Sequence, residues 1–344
     1  MATDADLRKL LYKVAKAYHD DGLTQQQIAI RLGLSRIKVS RLLRTARDER
    51  IVQISIASPQ DSNADIERQL ERQYGLKEAL VVTCLTDDPV SIVDGLGVVA
   101  ASCLTRGLQG DEVIALSWGT SVLSVVNALA PMDLPDVRVV QLLGGLGELE
   151  AQTHGADLAR RMAQALGAKP RLIHAPGIVK DEIVREALVK DPQVADTLDL
   201  AGRADIALVG IGLFAPGSTL LSGGNTLTTA EVEQLKSQGV VGDIALQFFN
   251  EQGLKVDHPI NRRIVGTDLE KIKAIPRVVG VAGGVEKVRA IRAALLGGLI
   301  DVLVTDDRTG EALLAAPESR PHGNQPAWGQ SADDLQCTPD GNRG

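Results

Sequence analysis

Residues 22–50, from Gly22 through Thr24-Gln-Gln-Gln27 and Gly33-Leu-Ser35 to Arg50, constrain this chain more than any other stretch. Thr24 followed by Gln27 is a capping-box pair, so a helix is expected to start at Gln25. Its apolar residues Ile28, Ala29 and Leu32 recur at helical spacing. Gly33 allows a short turn, and Ser35 can cap a second helix through its hydroxyl. In that second helix Val39, Leu42, Leu43 and Ala46 share one face, at about 100° per residue. Ile37, Ser40, Arg41 and Arg44 occupy the opposite face, with Arg36, Lys38 and Arg47 beside them. A helix with a buried stripe behind and Ser plus Arg in front suits the major groove of DNA, where arginine reads guanine edges or holds phosphates. Ser35, Arg36, Lys38, Ser40, Arg41 and Arg44 are therefore the candidate DNA contacts. A solvated basic helix in an ordinary bundle is the competing reading.

Charge is divided unevenly. The 344 residues carry a net charge of −7. Residues 1–56 hold eleven Lys/Arg against six Asp/Glu, a balance of +5, which leaves −12 on the rest. A basic head on an acidic body confines attraction for nucleic acid to one end. Cys84, Cys103 and Cys337 show neither disulfide-framework nor zinc spacing. His19, His154, His174, His258 and His322 show no metal-ligand spacing either. The N-terminus lacks the pattern of a signal peptide, and charged, polar or Gly residues interrupt every apolar run before membrane-spanning length. A cytoplasmic protein without a membrane segment is the expectation.

Leu7, Leu10, Leu11, Val14 and Tyr18 form a helical stripe that would pack under the two helices already described, and Arg50–Ile56 alternates like a short strand or wing. These observations define a helix-turn-helix DNA-binding domain over 1–56, a turn-rich linker over 57–63 and an α/β domain over 64–315. Residues 316–344, rich in Pro, Gly and polar residues, read as a disordered tail. Within 64–315, expected strands at 79–83, 112–117, 137–143, 171–174, 205–210, 278–282 and 301–305 alternate with helices at 64–74, 90–108, 120–130, 153–166, 181–190, 228–237, 285–296 and 307–315. That rhythm predicts a parallel α/β sheet covered on both faces.

Open α/β sheets bind ligands beyond the carboxyl ends of their strands. Trp118-Gly119-Thr120-Ser121 leads into a helix there, where backbone N–H groups and hydroxyls suit an anionic group. Gly144-Gly145-Leu146-Gly147, Ile211-Gly212 and Gly283-Gly284-Val285-Glu286-Lys287 follow other strands. Glycines at strand ends also serve plain turns, so the weight lies in four loops meeting at one edge. Asp243, among apolar neighbours, could accept bonds from sugar hydroxyls, or could cap a helix. Lys287 could pair with a phosphate or carboxylate, or lie on a solvated helix face. Residues 256–263 could form a lid or a plain surface loop. None of the loops is a Walker P-loop, and Gly210-x-Gly212 lacks the third glycine of a dinucleotide site, so no cofactor is expected.

Tyr18–Thr24, Arg31–Leu43, Ser117–Thr120, Ala204–Gly212, Gly239–Asp243, Val281–Gly284 with Lys287, and Leu303–Asp306 together resemble the SorC/DeoR-type bacterial sugar-sensing transcriptional regulators. The resemblance spans roughly residues 5–315. The chain looks especially similar to members that sense a phosphorylated autoinducer, and a sugar- or polyol-responsive relative is the equal alternative. It implies a Rossmann-like effector domain with the fold of ribose-5-phosphate isomerase and glucosamine-6-phosphate deaminase. It also implies a tetramer on double-stranded operator DNA, with Gly119, Thr120, Gly145, Asp243 and Lys287 at the effector. Some relatives hold an aldehyde effector on a lysine. Here no lysine follows Gly145 before Lys169, so a covalent effector is not expected.

The reading that unites these features is a non-catalytic regulator whose operator affinity answers to a sugar, polyol or sugar phosphate. Its candidate effector residues are Gly119, Thr120, Ser121, Gly145, Asp243, Gly283, Gly284 and Lys287. The alternatives are a sugar-phosphate isomerase or deaminase with a DNA-binding head, using Asp243 or Glu286 as base, and a structural DNA-coating protein without an effector.

Overall fold

The structure, a computed structural model, describes residues 4–52, 63–86, 88–146, 155–215 and 227–316. The chain divides into two compact units, Met1–Ser62 and Asn63–Gly344.

The smaller unit holds three helices, α1 (Asp4–His19), α2 (Gln25–Leu32) and α3 (Arg36–Asp48). Thr24 and Gln27 form the expected capping box. Gly33 ends α2 at φ 65°, and the Leu34 N–H reaches back to the Ala29 carbonyl at 2.9 Å. A left-handed residue closes the helix end in this way at little cost only if it is glycine. The Ser35 hydroxyl accepts from the Lys38 N–H at 3.2 Å and starts α3. Leu11 and Val14 of α1, Ile28 and Ala29 of α2, and Val39, Leu42, Leu43 and Ala46 of α3 form one core. Each of its large aliphatic side chains contributes about 1.5–3 kcal/mol by leaving water. Leu7 departs from the expected stripe and stays 39% exposed. The expected strand at 50–56 is not entered as such. Arg50 is left-handed at φ 56°, and the N–H groups of Ile51 and Val52 both return to the Ala46 carbonyl. Residues 53–56, and nearly all of the expected linker and tail, lie outside the described residues.

The larger unit begins with α4 (Ala64–Tyr74) and is built on a seven-stranded, all-parallel sheet. Its strands are β1 (Glu78–Val82), β2 (Val113–Leu116), β3 (Arg138–Gln141), β4 (Lys169–Arg171), β5 (Ile206–Gly210), β9 (Arg277–Val281) and β10 (Val302–Asp306). They lie in the order β1-β10-β9-β5-β2-β3-β4. Side chains alternate between faces along each strand. Val113 and Ala115 therefore join one core while Ile114 and Leu116 join the other. The first core is closed by α4, α9 (Pro192–Gly202), α12 (Val288–Leu296) and α13 (Asp307–Ala315). The second is closed by α5 (Pro89–Thr105), α6 (Thr120–Ala128) and α7 (Gly155–Leu166). Helices on both faces explain why these strands read as nearly continuous aliphatic runs.

The structure differs from expectation in four places. The fourth strand occupies 169–171 rather than 171–174, because the Ile173 N–H donates to the Gln141 side chain at 2.8 Å instead of continuing the ladder. The helix expected at 285–296 opens with a 3-10 turn, Val285–Lys287, before α12. A second, antiparallel sheet was not expected at all. It comprises β6 (Gly212–Leu213), β7 (Val240–Ile244) and β8 (Gln247–Asn250). Two further helices, α9 and α11 (Leu269–Lys273), join α8 (Glu182–Lys190) and α10 (Thr229–Ser237) among the described elements.

The helices α5 and α6 cross closely at Gly97, where an added Cβ would stand 2.1 Å from the Ser124 hydroxyl and 2.7 Å from its backbone. Backbone cannot swing aside, so Gly97→Ala should destabilise the larger unit by about 2 kcal/mol or more in urea unfolding. Gly145→Ala, where the new carbon meets no atom within 4 Å, should leave it within about 0.5 kcal/mol.

Candidate functional site

Two surfaces carry the candidate residues, one on each unit. On the smaller unit, α3 buries Val39, Leu42, Leu43 and Ala46 against α1 and α2. That packing turns the rest of the helix outward: Ser35, Arg36, Lys38, Ser40, Arg41 and Arg44 are all exposed. Ile37, 68% exposed, stands among them.

On the larger unit the chain winds outward in opposite directions from β2 and β5. From β2 it proceeds to β3 and β4, and from β5 to β9 and β10. Loops leaving two such strands diverge, and a crevice opens between them. The Ser117 hydroxyl, 3% exposed, accepts from the Gly210 N–H at 3.1 Å and ties the two strand ends together. Gly119 follows at φ 112° and precedes α6. No side chain caps that helix, so its first N–H groups and the positive end of its dipole face outward beside the exposed Thr120. Ser121 is buried, at 6% exposure.

At the end of β9, Gly283 and Gly284 are buried. Asp306, 1% exposed at the end of β10, accepts from the Gly284 N–H at 2.8 Å while capping α13 through Thr309. A Cβ on Gly283 would lie 2.5 Å from that carboxylate. Lys287 follows in the 3-10 turn. These loops and the first turns of α5 and α6 enclose a cavity of about 320 Å³. Thr120, Gly283, Gly284 and Lys287 line it, together with Ser124, Asn127 and Glu286. Pro89, Val90, Ile92 and Val93 of α5 supply its apolar wall, with Asp94 on the same helix.

Asp243 lies on β7, not at a helix end. Gly212, paired opposite it, gives it room, since a Cβ there would stand 2.1 Å from Oδ1. Its Oδ2 accepts from the Leu246 N–H at 3.0 Å, across a turn that holds Ala245 at φ 51° and Leu246 at φ 63°. Non-glycine residues rarely adopt that left-handed conformation, so the carboxylate braces a strained hairpin. Burial pushes the Asp243 carboxyl up to about 6, opposed by the Leu246 N–H and by the Lys287 charge. Burial also lowers the Lys287 ammonium, which Glu286 and Asp243 hold back toward its usual range. Asp243 and Lys287 are thus electrostatic neighbours although 44 residues separate them.

Gly145 stands apart. It is exposed, and its N–H and carbonyl are engaged by Ala175 and Gly177 at 2.9 and 2.6 Å. Gly147 and His154 fall outside the described residues. Residues 259–263 form a 3-10 turn capped by His258, whose Nε2 meets Gln234 at 3.2 Å. Among the described residues no group of His, Cys, Asp and Glu could hold a metal ion, and no helix is long and apolar enough to cross a membrane. The α5 wall escaped the sequence reading. Its signal was Asp88-Pro89, a capping acid followed by proline at the first helical position, which marks a helix entering the same edge.

A parallel α/β sheet with a small polar cavity at its carboxyl edge, in a chain that also bears a separate unit with a basic exposed helix, defines a ligand-binding protein with a second interaction surface. Residues 58–315 match the family described as "Putative sugar-binding domain". The deoxyribonucleoside regulator of Bacillus subtilis (strain 168) is 31% identical over 311 residues, covering 90% of this chain and 99% of that protein. The sorbitol operon regulator of Klebsiella pneumoniae is 31% identical over 322 residues, covering 91% and 100%. The crystal structure of the full-length sorbitol operon regulator SorC from Klebsiella pneumoniae superposes with a TM-score of 0.71 at 30% identity, covering 90% of this chain and 99% of that one. The chain belongs to the SorC/DeoR-type family of sugar-sensing transcriptional regulators.

The carboxyl of Asp243 yields a sign-specific prediction. Its folded value, about 6, lies above the ordinary 3.8, so the fold holds the proton more tightly than the unfolded chain does. The associated stability is fully present below 3.8 and is lost as pH rises through about 6. Relative to Asp243→Asn, the native chain should therefore lose about 1–3 kcal/mol of unfolding free energy between pH 4 and pH 7. Urea titrations of both proteins across that window measure it, and parallel curves would show that Asp243 does not titrate there.

Proposed function

We propose that this chain is a DNA-binding transcriptional regulator whose operator affinity is set by a sugar, polyol or sugar phosphate held at the carboxyl edge of its parallel sheet. The observation that carries the reading is the two-sidedness of α3. One side is locked into a core, and the other presents Ser35, Arg36, Lys38, Ser40, Arg41 and Arg44 to solvent. We read α2, the Gly33 turn and α3 as a helix-turn-helix within residues 1–56, with α3 entering the major groove. Arg41 and Arg44 would read base edges or hold phosphates, and Arg36 and Lys38 would add phosphate contacts near the helix start. Such contacts make affinity fall steeply with salt.

The effector would place an anionic or hydroxyl-rich end against the uncapped start of α6 and Lys287, contacting Gly119, Thr120, Ser121, Gly283 and Gly284. Asp243 would act through Lys287 and accept hydroxyls, and Gly145 would serve from the neighbouring loop. We read the larger unit, over 64–315, as a scaffold of the ribose-5-phosphate isomerase and glucosamine-6-phosphate deaminase type that binds without turnover. The relatives described above are named regulators rather than enzymes. A tetramer would pair the reading helices on operator half-sites, about one helical turn or a multiple of it apart. The effector alters operator affinity only by binding two states of the protein unequally.

Duplexes selected by the purified protein from a random library provide the DNA probe. Arg41→Ala with Arg44→Ala should weaken binding to the selected duplex by about 100-fold or more and flatten its salt dependence. Unchanged anisotropy titrations would remove α3 as the reading helix. On the larger unit, thermal shifts with a panel of sugars, polyols and their phosphates should give stabilising hits that Lys287→Ala abolishes for the phosphorylated compounds. Turnover of ribose 5-phosphate would instead restore the enzyme reading.

A further inference from the structure

We propose that the smaller unit carries a second interaction surface, a groove between α1 and α2 that takes an acidic amphipathic helix of a protein partner. The groove encloses about 360 Å³, within the range of ligand pockets. Its floor is apolar: Ala17 of α1 with Ile28 and Leu32 of α2. Tyr12, Lys13 and Lys16 of α1 and Arg31 of α2 form the rest of the wall, and Asp21, just after α1, is the single carboxylate among the described lining residues. Tyr12 and Lys16, and likewise Lys13 and Ala17, stand four residues apart and share one side of α1, as Ile28 and Leu32 share one side of α2. Tyr12 is 59% exposed, and Lys13, Lys16 and Arg31 are exposed as well. The positive charge of the smaller unit therefore lies on two surfaces, not on α3 alone.

Charge and shape together decide the occupant. The described lining residues come from α1, α2 and the turn after α1, and none comes from α3. The exposed side chains of α3 face away from the core that α1 and α2 close, so a duplex against them leaves the groove open. A phosphate backbone has no use for the apolar floor. A second copy packed about a twofold axis would set Lys13, Lys16 and Arg31 against their own counterparts, where like charges repel. An acidic amphipathic helix meets both features at once. Its apolar side chains at i and i+3 or i+4 fill the floor beside Tyr12, and flanking Asp or Glu meet the ammonium and guanidinium groups. The groove thus suits a protein that assembles with the chain while α3 holds its duplex.

A random peptide library displayed on phage and selected against the purified full chain supplies the probe. Selected peptides should carry apolar residues at i, i+3 or i+4 and i+7 among Asp and Glu, and anisotropy with a synthetic copy measures their affinity. The variant Lys13→Gln, Lys16→Gln, Arg31→Gln, checked for folding by circular dichroism, should bind that peptide about tenfold or more weakly. Its affinity for the selected duplex, and the salt dependence of that affinity, should match the wild type, because the groove holds no phosphate. The peptide should also bind the chain saturated with duplex. A selection that yields no acidic, apolar-striped peptide, or a variant that binds the peptide as tightly as the wild type, overturns the proposal. So does a shallower salt dependence, which assigns the groove to DNA, or a changed oligomeric state in sedimentation velocity, which assigns it to a second copy. None of these readouts involves the cavity of the larger unit, so failure of the effector reading leaves the proposal standing.

Discussion

The hydrogen bond from the Gly210 N–H to the buried Ser117 hydroxyl joins the two strands at which the chain reverses its direction of winding. Much of the larger unit depends on that junction. Connections that leave β2 and β5 in opposite directions cannot cover the space directly above both strands. The crevice is a consequence of strand order, and the segments that follow β2 and β9, with the start of α5, line its cavity. Ser117 lets the two strand ends stay close without leaving a polar group unsatisfied, which in a site this buried would cost about 1–3 kcal/mol.

Electrostatics then divides the work. The sheet interior is aliphatic on both faces, so charge collects at the edges. At the carboxyl edge the buried carboxylates each have a structural duty: Asp306 holds the Gly284 loop, and Asp243 holds the strained turn at Ala245 and Leu246. The negative charges of Glu286 and Asp243 fall on Lys287 and oppose the burial that lowers its ammonium. The smaller unit handles charge oppositely. Its core is closed by aliphatic side chains from all three helices, and its arginines stay in water where a polyanion can reach them.

Much of this was legible in the chain itself. The Thr24–Gln27 capping box, the Gly33 turn and the Ser35 cap are contacts within a few residues, so spacing alone locates α2 and α3. Six of the seven parallel strands were located to within about two residues, because strands covered on both faces are short aliphatic runs with glycine at their ends. The antiparallel sheet was not legible. β6 is two residues long, and the turn between β7 and β8 uses Ala245 and Leu246 where Asn-Gly would announce a hairpin. Asp243 stands out in the sequence for its apolar neighbours, as an acceptor of sugar hydroxyls or as a helix cap, and its place on β7 is not legible there. The α5 wall of the cavity was missed because Pro89, Val90 and Val93 look like ordinary helix residues until α6 packs beside them.

The sequence by itself determined most of the helical segments, though not α9 or α11, and most of the faces that they bury, since those properties follow from periodicity and from caps that span three or four residues. It also determined the concentration of positive charge near one end. Only the tertiary structure decided that β2 and β5 are neighbours, that Thr120 and Lys287 line one cavity, and that Asp243 lies beside that lysine. Those relations join residues far apart in the chain, and they arise from the order in which parallel strands assemble, a choice made by the packing of whole layers and not by any local run of residues.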